Sequence, residues 1–245
     1  MIKLIEDAIK DEEFKIFYQP ICNLYGECIG AECLMRWIVN GKVILSPEQT
    51  LEKAKKEKTL LNLLKHLNSI VVKEANLLSE VSEFSLSVNI EAEHIENECF
   101  IDDILSLRKS LPNNIILLLE LTERNALSDT PDCIDKIVRL KSDGIKIGID
   151  DFGTGFSGLK LLSDLPVDFI KLDKFFASDY KENERLSTIL NYTIELCNSL
   201  FIDLIQEGVS KEDEYITMKG KGINKFQGYF ISEPMDIFRL LKWIK

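Results

Sequence analysis

Short apolar runs rich in β-branched residues recur along the whole chain: "KIFYQPI", "CIGAECLMRW", "FSLSVNI", "IILLLELTE", "IKIGIDD", "DFIKLDK", "FIDLIQEG" and "KFQGYF". Each has the length of a strand. The first two are separated only by "CNLYGE", short enough for a hairpin, so they should be antiparallel neighbours. After the second, each run gives way to apolar residues at helical spacing, as in "LLNLLKHLNSIVVKEANLLSEV", "CIDKIVRLKSDG" and "ERLSTILNYTIELCNSL". Alternating strands and helices imply a parallel sheet. Eight strands in 245 residues predict an α/β fold of modified TIM (β/α)8 type, a closed barrel with an antiparallel first strand. An open doubly wound sheet is the alternative, but its GxGxxG phosphate fingerprint after the first strand is absent. There is no low-complexity tract, linker or composition break, so residues 1–245 read as one domain.

Strands packed on both faces should be apolar throughout, so each polar residue inside one needs a reason. The second run holds Glu32, with Arg36 following. The third ends in Asn89, the fourth in Glu120 and Glu123, and the fifth in Asp150 and Asp151. The sixth carries Lys171 and Asp173, the seventh ends in Glu207, and the eighth holds Gln227. Singly, each could be a solvated turn or a helix cap. In a barrel, however, the C-terminal ends of all parallel strands meet on one face, where such folds place their chemistry. Five carboxylates crowded there (Glu32, Glu120, Asp150, Asp151, Glu207) would repel one another unless cations neutralised them. Oxygen ligands without His or Cys select hard cations such as Mg²⁺, Mn²⁺ or Ca²⁺. Adjacent Asp150 and Asp151 could serve two ions at once, the arrangement used for phosphodiester hydrolysis.

Composition narrows the partners. Thirty basic against 41 acidic residues give a formal net charge of −11, which argues against nucleic acid polymers and anionic membrane. Six scattered cysteines form no CxxC pair, and with two histidines they argue against an ordinary zinc site. The cysteines read as small buried hydrophobes of a reducing compartment. The N-terminal segment is amphipathic and acidic, and no run approaches the ~18 apolar residues of a membrane span, so a cytoplasmic protein is expected.

"YQPI", "GAECLMRW", "SVNI", "ELTE", "DDFGTGFSGL", "PVDFIKLDK", "QEGVS" and "QGYFISEP" occur in the order expected of an EAL domain, which the chain resembles over essentially its whole length. The resemblance implies a cyclic di-GMP phosphodiesterase that opens the ring at one phosphodiester to give linear pGpG by two-metal-ion catalysis. Motility, adhesion and biofilm formation are what that messenger usually governs. It implies that Glu32, Asn89, Glu120 and Asp150 hold one Mg²⁺ or Mn²⁺. Asp150 would bridge to a second ion held also by Asp151 and Glu207, with Ca²⁺ binding and inhibiting. It places Lys171 near the attacking water, makes Glu207 a metal ligand or general base, and has Gln227 order water near the second ion. Gln19, Leu34, Arg36, Asp173 and Pro234 match positions that bind the nucleotide, and Glu123 matches an anchor of the "DFGTGFSG" loop. A homodimer is the family expectation.

The sequence departs from the family pattern in places. The signature reads Glu-Cys-Leu, with Cys33 where alanine is usual, a change read as nearly neutral. "QEGVS" has Ser210 where a second glutamate is usual, and the loop reads "GTGFSG", with Phe156 and Gly158. Thr50 and Lys55 stand where Phe and Glu are usual, and the lysines of "EKAKKEK" read as a solvated helix face. Two other readings stay open: an EAL domain that binds cyclic di-GMP or a protein without turnover, and an enolase-like barrel using Lys171 as base over one Mg²⁺.

Overall fold

The computed structural model describes residues 2–122, 131–155, 158–180 and 183–244. The strands are β1 (Phe14–Asn23), β2 (Cys28–Val39), β3 (Lys42–Val43), β4 (Phe84–Ile90), β5 (Ile115–Thr122), β6 (Lys146–Phe152), β7 (Phe169–Leu172), β8 (Asp203–Gln206) and β9 (Lys225–Phe226). The helices are α1 (Ile5–Lys10), α2 (Pro47–Lys56), α3 (Leu60–Ala75), α4 (Ala92–Ile95), α5 (Phe100–Ser110), α6 (Pro131–Ser142), α7 (Gly158–Asp164), α8 (Phe175–Ser178), α9 (Glu184–Ser199), α10 (Glu212–Gly220) and α11 (Ile237–Trp243).

Eight strands close in the order β1-β2-β4-β5-β6-β7-β8-β9 and back to β1. β1 runs antiparallel to both neighbours, β2 and β9, and the remaining barrel pairings are parallel. The barrel and its antiparallel first strand match the sequence expectation. One strand escaped it: β3 is a two-residue flap folded back on β2 through Asn40 and Gly41, both at positive φ. Another is shorter than its apolar run suggested. β9 is only Lys225–Phe226, because Gly228 at φ +152 turns the chain against the Val209 backbone.

The helices form because their apolar residues recur every three to four positions. In α3, Leu60, Leu63, Leu67, Val71 and Ala75 are buried, and the helix packs on β1, where Tyr18 donates its hydroxyl hydrogen to Glu74 at 2.8 Å. α2 starts on a capping box, Ser46 with Gln49, and on Pro47 at its first turn. Cys22, Cys33, Cys133 and Cys197 are buried thiols as expected, whereas Cys28 is half-buried and Cys99 exposed. No helix of the described residues is long and apolar enough to cross a membrane.

Inside the barrel, strand alternation stacks two layers. The lower layer is an apolar plug of Ile21, Leu118, Phe169 and Ile205. Two residues further along their strands, on the same faces, come Glu120 on β5, Lys171 on β7 and Glu207 just beyond β8, and on antiparallel β1 Gln19 joins them two residues before Ile21. Gly148 on β6 belongs to the lower layer, and a Cβ there would run into the Phe169 ring. Gly148→Ala should therefore overpack the plug and cost about 1–3 kcal/mol. A denaturant midpoint equal to that of the parent chain would show that the ring has room to move.

Candidate active site

The polar layer above the plug is organised by one ammonium. Lys171 is fully buried, and its Nζ lies 2.9 Å from Glu32 Oε2, 2.9 Å from Glu120 Oε2, 3.3 Å from Asp150 Oδ1 and 2.5 Å from Glu207 Oε1. These groups come from β2, β5, β6, β7 and the end of β8, so the site exists only when the barrel is closed. Gln227, buried just past β9, donates from Nε2 to Glu32 Oε2 at 2.7 Å and to Gln19 Oε1 at 3.3 Å. Asn89, exposed at the end of β4, donates from Nδ2 to Glu32 Oε1 at 3.0 Å.

Asp150 and Asp151 are consecutive, so a regular strand would point them to opposite faces. The backbone solves this with a register shift between Ile149 and Phe152 and a left-handed Asp151, φ +53. Aspartate tolerates that region better than most residues. As a result, two acidic groups share one residue: Glu32, Glu120 and Asp150 bring ligand atoms within 4.8 Å of one another, and so do Asp150, Asp151 and Glu207.

The electrostatics are unbalanced. Burial opposes the charge on Lys171, but Asp150, Glu120, Glu207 and Glu32 outweigh it and raise its pKa well above the ordinary lysine value. Burial also presses on Glu32, yet Lys171, Gln227 and Asn89 together hold its carboxyl below the usual range. Glu120 is pushed up to about 8 by burial, with Glu32 and Asp150 adding to it against Lys171. Burial likewise raises Glu207 well above the carboxylate range. One ammonium thus leaves the cluster net negative. Buried Glu120 Oε1 has no hydrogen-bond partner, and Asp150 Oδ1 meets Lys171 without one. Unsatisfied buried carboxylate oxygens in an all-oxygen set fit hard divalent cations.

Other sequence-predicted residues lie around this centre. Leu34 shares the cluster's cavity, of about 490 Å³, which extends from the carboxylates into an apolar space between the barrel and helices α2 and α3. Arg36, half-buried on the same face of β2 as Glu32, donates to the Met35 carbonyl at 2.8 Å. Gln19 reaches the Ser232 carbonyl at 3.5 Å, and half-buried Pro234 precedes Met235, which bridges to Tyr18 beside Gln19. Asp173 accepts from Phe175 N–H at 2.9 Å and so begins α8, a local role. Glu123 and Phe156 lie outside the described residues, and Gly158 is the buried first residue of α7.

Three departures from the family pattern take their meaning from their surroundings. Ser210 does not face the cluster: it is exposed, and its N–H and hydroxyl both donate to Glu214, at 2.8 and 3.0 Å, where α10 begins. Cys33 alternates away from Glu32 into the apolar wall of the cavity, and burial keeps its thiol protonated by raising its pKa well above the ordinary value. Lys55 is not on a solvated face, since it bridges Glu91 and Glu93. Sequence reasoning also passed over Gln206, whose Nε2 donates to the carbonyls of Leu172, Asp173 and Glu207 and fixes the turn that presents Glu207. Its signal was available, as another polar residue in an apolar strand.

A parallel-barrel scaffold with an antiparallel first strand and a shared two-cluster acidic centre defines the class. The EAL domain family pattern matches residues 3–234, and the chain belongs to that family. It is 31% identical to "Probable cyclic di-GMP phosphodiesterase PdeG" of Escherichia coli K12, over 99% of this chain and 48% of that protein. It is 32% identical to "Cyclic di-GMP phosphodiesterase PdeL" of the same strain, over 93% of this chain and 64% of that protein. The chain thus spans about half to two thirds of the length of these relatives. Among solved structures it is similar to the EAL enzyme Bd1971 in its cAMP- and cyclic-di-GMP-bound form, with a TM-score of 0.89, 29% identity, and 98% of this chain and 67% of that one covered.

Glu120 gives the site a pH signature in metal-free protein. Folded, it keeps its proton up to about 8, whereas unfolded it loses it near the ordinary 4.5. Between those values the native state binds more protons, so its contribution to stability falls as pH rises through that window. Denaturation in chelator over roughly pH 5 to 9 should show this decline, and Glu120→Gln should flatten it. Parallel curves would rule Glu120 out as the source.

Proposed function

We propose that this EAL domain hydrolyses one phosphodiester of cyclic di-GMP to give linear pGpG. The observation that carries the reading is the pair of acidic groups sharing Asp150 around a buried lysine. The names of the curated relatives support the same substrate. On this reading Glu32, Asn89, Glu120 and Asp150 hold one divalent ion, and Asp150, Asp151 and Glu207 hold another. Mg²⁺ or Mn²⁺ bound there supplies charge neutralisation of the phosphate and a water of lowered pKa. Ca²⁺, with looser coordination, binds and inhibits.

The chain's own side chains prepare the site. Lys171 keeps Glu32, Glu120, Asp150 and Glu207 convergent despite their repulsion, and its ammonium stays charged at the bottom of the centre. Gln227 and Asn89 hold the two oxygens of Glu32 from opposite ends, so that carboxylate has one orientation. Arg36, on the same face of β2 as Glu32, offers a planar fork of donors to a phosphate oxygen. On the same reading Leu34, in the cavity wall, together with Gln19, Asp173 and Pro234, contacts the nucleotide. Glu207, within ligand distance of Asp150 and Asp151, is on this reading either a metal ligand or the general base. A homodimer is part of the same proposal.

Turnover of cyclic di-GMP followed by chromatography tests the reading. With Mg²⁺ or Mn²⁺ the product should be pGpG. Chelator should abolish it, and Asp150→Asn should lower the rate at least about 100-fold, because one residue leaves both acidic groups. Binding without turnover in either metal would replace the enzyme with a binding module. Because Ser210 is engaged with Glu214, Ser210→Glu should change kcat/KM by no more than about threefold, as surface substitutions do. A large gain in activity would show instead that the site lacks that acid.

A further inference from the structure

Strand β4 is paired with β5 along its full length, from Phe84 to Ile90. With β2 it shares only three Cα partners, the last being Glu32 with Ser87. Past that point β2 continues toward β3, and among the described residues Val88, Asn89 and Ile90 have no strand partner on that side. The seam is open at the height of Asn89, and the cavity passes through it toward α2 and α3.

Helix α2 spans the opening. Lys55 Nζ lies 2.8 Å from Glu91 Oε2 and 2.8 Å from Glu93 Oε1. Glu91 directly follows β4 and starts α4, its carbonyl accepting from the N–H groups of His94 and Ile95. Its side chain is mostly enclosed, at 14% exposure. Among the described residues lining the cavity Lys55 is the one cation, against Glu32, Glu48, Glu52, Glu91, Asp150 and Asp151. Without it, Glu91 and Glu93 would repel each other and the acids across the mouth.

We propose that Lys55 is a positioning residue: by clamping Glu91 and Glu93 to α2 it closes the open β2–β4 seam and keeps Asn89 on Glu32. The clamp acts through the backbone from Asn89 to Glu91, two residues long. A partly exposed ion pair contributes little to global stability. Groups that orient a ligand, by contrast, typically change metal affinity 10- to 100-fold. The two roles therefore separate by measurement. The kinetic part rests on the proposed hydrolysis, and the other readouts do not.

The experiment compares the parent chain with Lys55→Met, Lys55→Arg, Lys55→Glu and the swap Lys55→Glu/Glu91→Lys. Readouts are Mn²⁺ affinity by calorimetry after chelation, amide exchange across residues 88–93, melting temperature, and kcat and KM for cyclic di-GMP. Lys55→Met should bind Mn²⁺ about tenfold more weakly and exchange faster across 88–93, with melting nearly unchanged. Lys55→Arg should restore both, and the swap should outperform Lys55→Glu. The clamp is refuted if Lys55→Met matches the parent in Mn²⁺ affinity and exchange, or if the swap rescues nothing. Absence of hydrolysis in the parent chain would defeat the proposed function alone, while the Mn²⁺ and exchange data would still decide the clamp.

Discussion

The ammonium of Lys171 is the constraint around which the rest of this structure is arranged. A fully buried lysine is tolerated only with compensating charge, and here four carboxylates from four other parts of the barrel supply it. The dependence runs both ways. Glu32, Glu120, Asp150 and Glu207 could not be held at these separations without a cation among them. The cluster therefore ties the closure of the barrel to the assembly of the site. A strand misplaced by one residue would carry its charged group out of the polar layer and put an apolar one in its place.

That polar layer sits on an apolar one, and both follow from alternation along strands. Leu118 and Glu120, Phe169 and Lys171, Ile205 and Glu207, and Gly148 and Asp150 are each two residues apart. The plug excludes water from below, which strengthens every electrostatic interaction above it. It also limits what can stand there: the Phe169 ring occupies the volume that a side chain at 148 would need. Asp151 is the exception to alternation. Its left-handed backbone brings a second carboxylate to the same mouth, at a cost of order 1–3 kcal/mol for a sparsely populated conformation. Strain of that kind persists where the surroundings overdetermine it, here between a strand bulge and a glycine turn.

Much of this was legible in the sequence because each barrel strand carries its own signal. An apolar run that ends in an acid, amide or lysine marks both the strand and the face on which its end lies, and this located Glu32, Asn89, Glu120, Asp150, Lys171, Glu207 and Gln227. What escaped has physical reasons. β3 is two residues long and β9 is cut short by a glycine, and neither event leaves a periodicity to read. Lys55 looked like one more surface lysine because its partners, Glu91 and Glu93, are distant in sequence and themselves resemble solvent-facing acids. The significance of Ser210 depended on the direction of its side chain, which only Glu214 reveals.

The charge balance carries one further consequence. The chain has a formal charge of −11, and the centre holds more carboxylate than Lys171 can neutralise. An anionic phosphodiester approaching the metal-free cluster meets repulsion from the same groups that would later serve it. Against that repulsion the described residues set Arg36, whose guanidinium fork on the Glu32 face of β2 suits a phosphate. Cation loading would therefore do two things at once. It would satisfy oxygens such as Glu120 Oε1 that lack a hydrogen bond, and it would reverse the local field the substrate encounters. Metal binding and substrate binding are in that case coupled by electrostatics, with no conformational change required to link them.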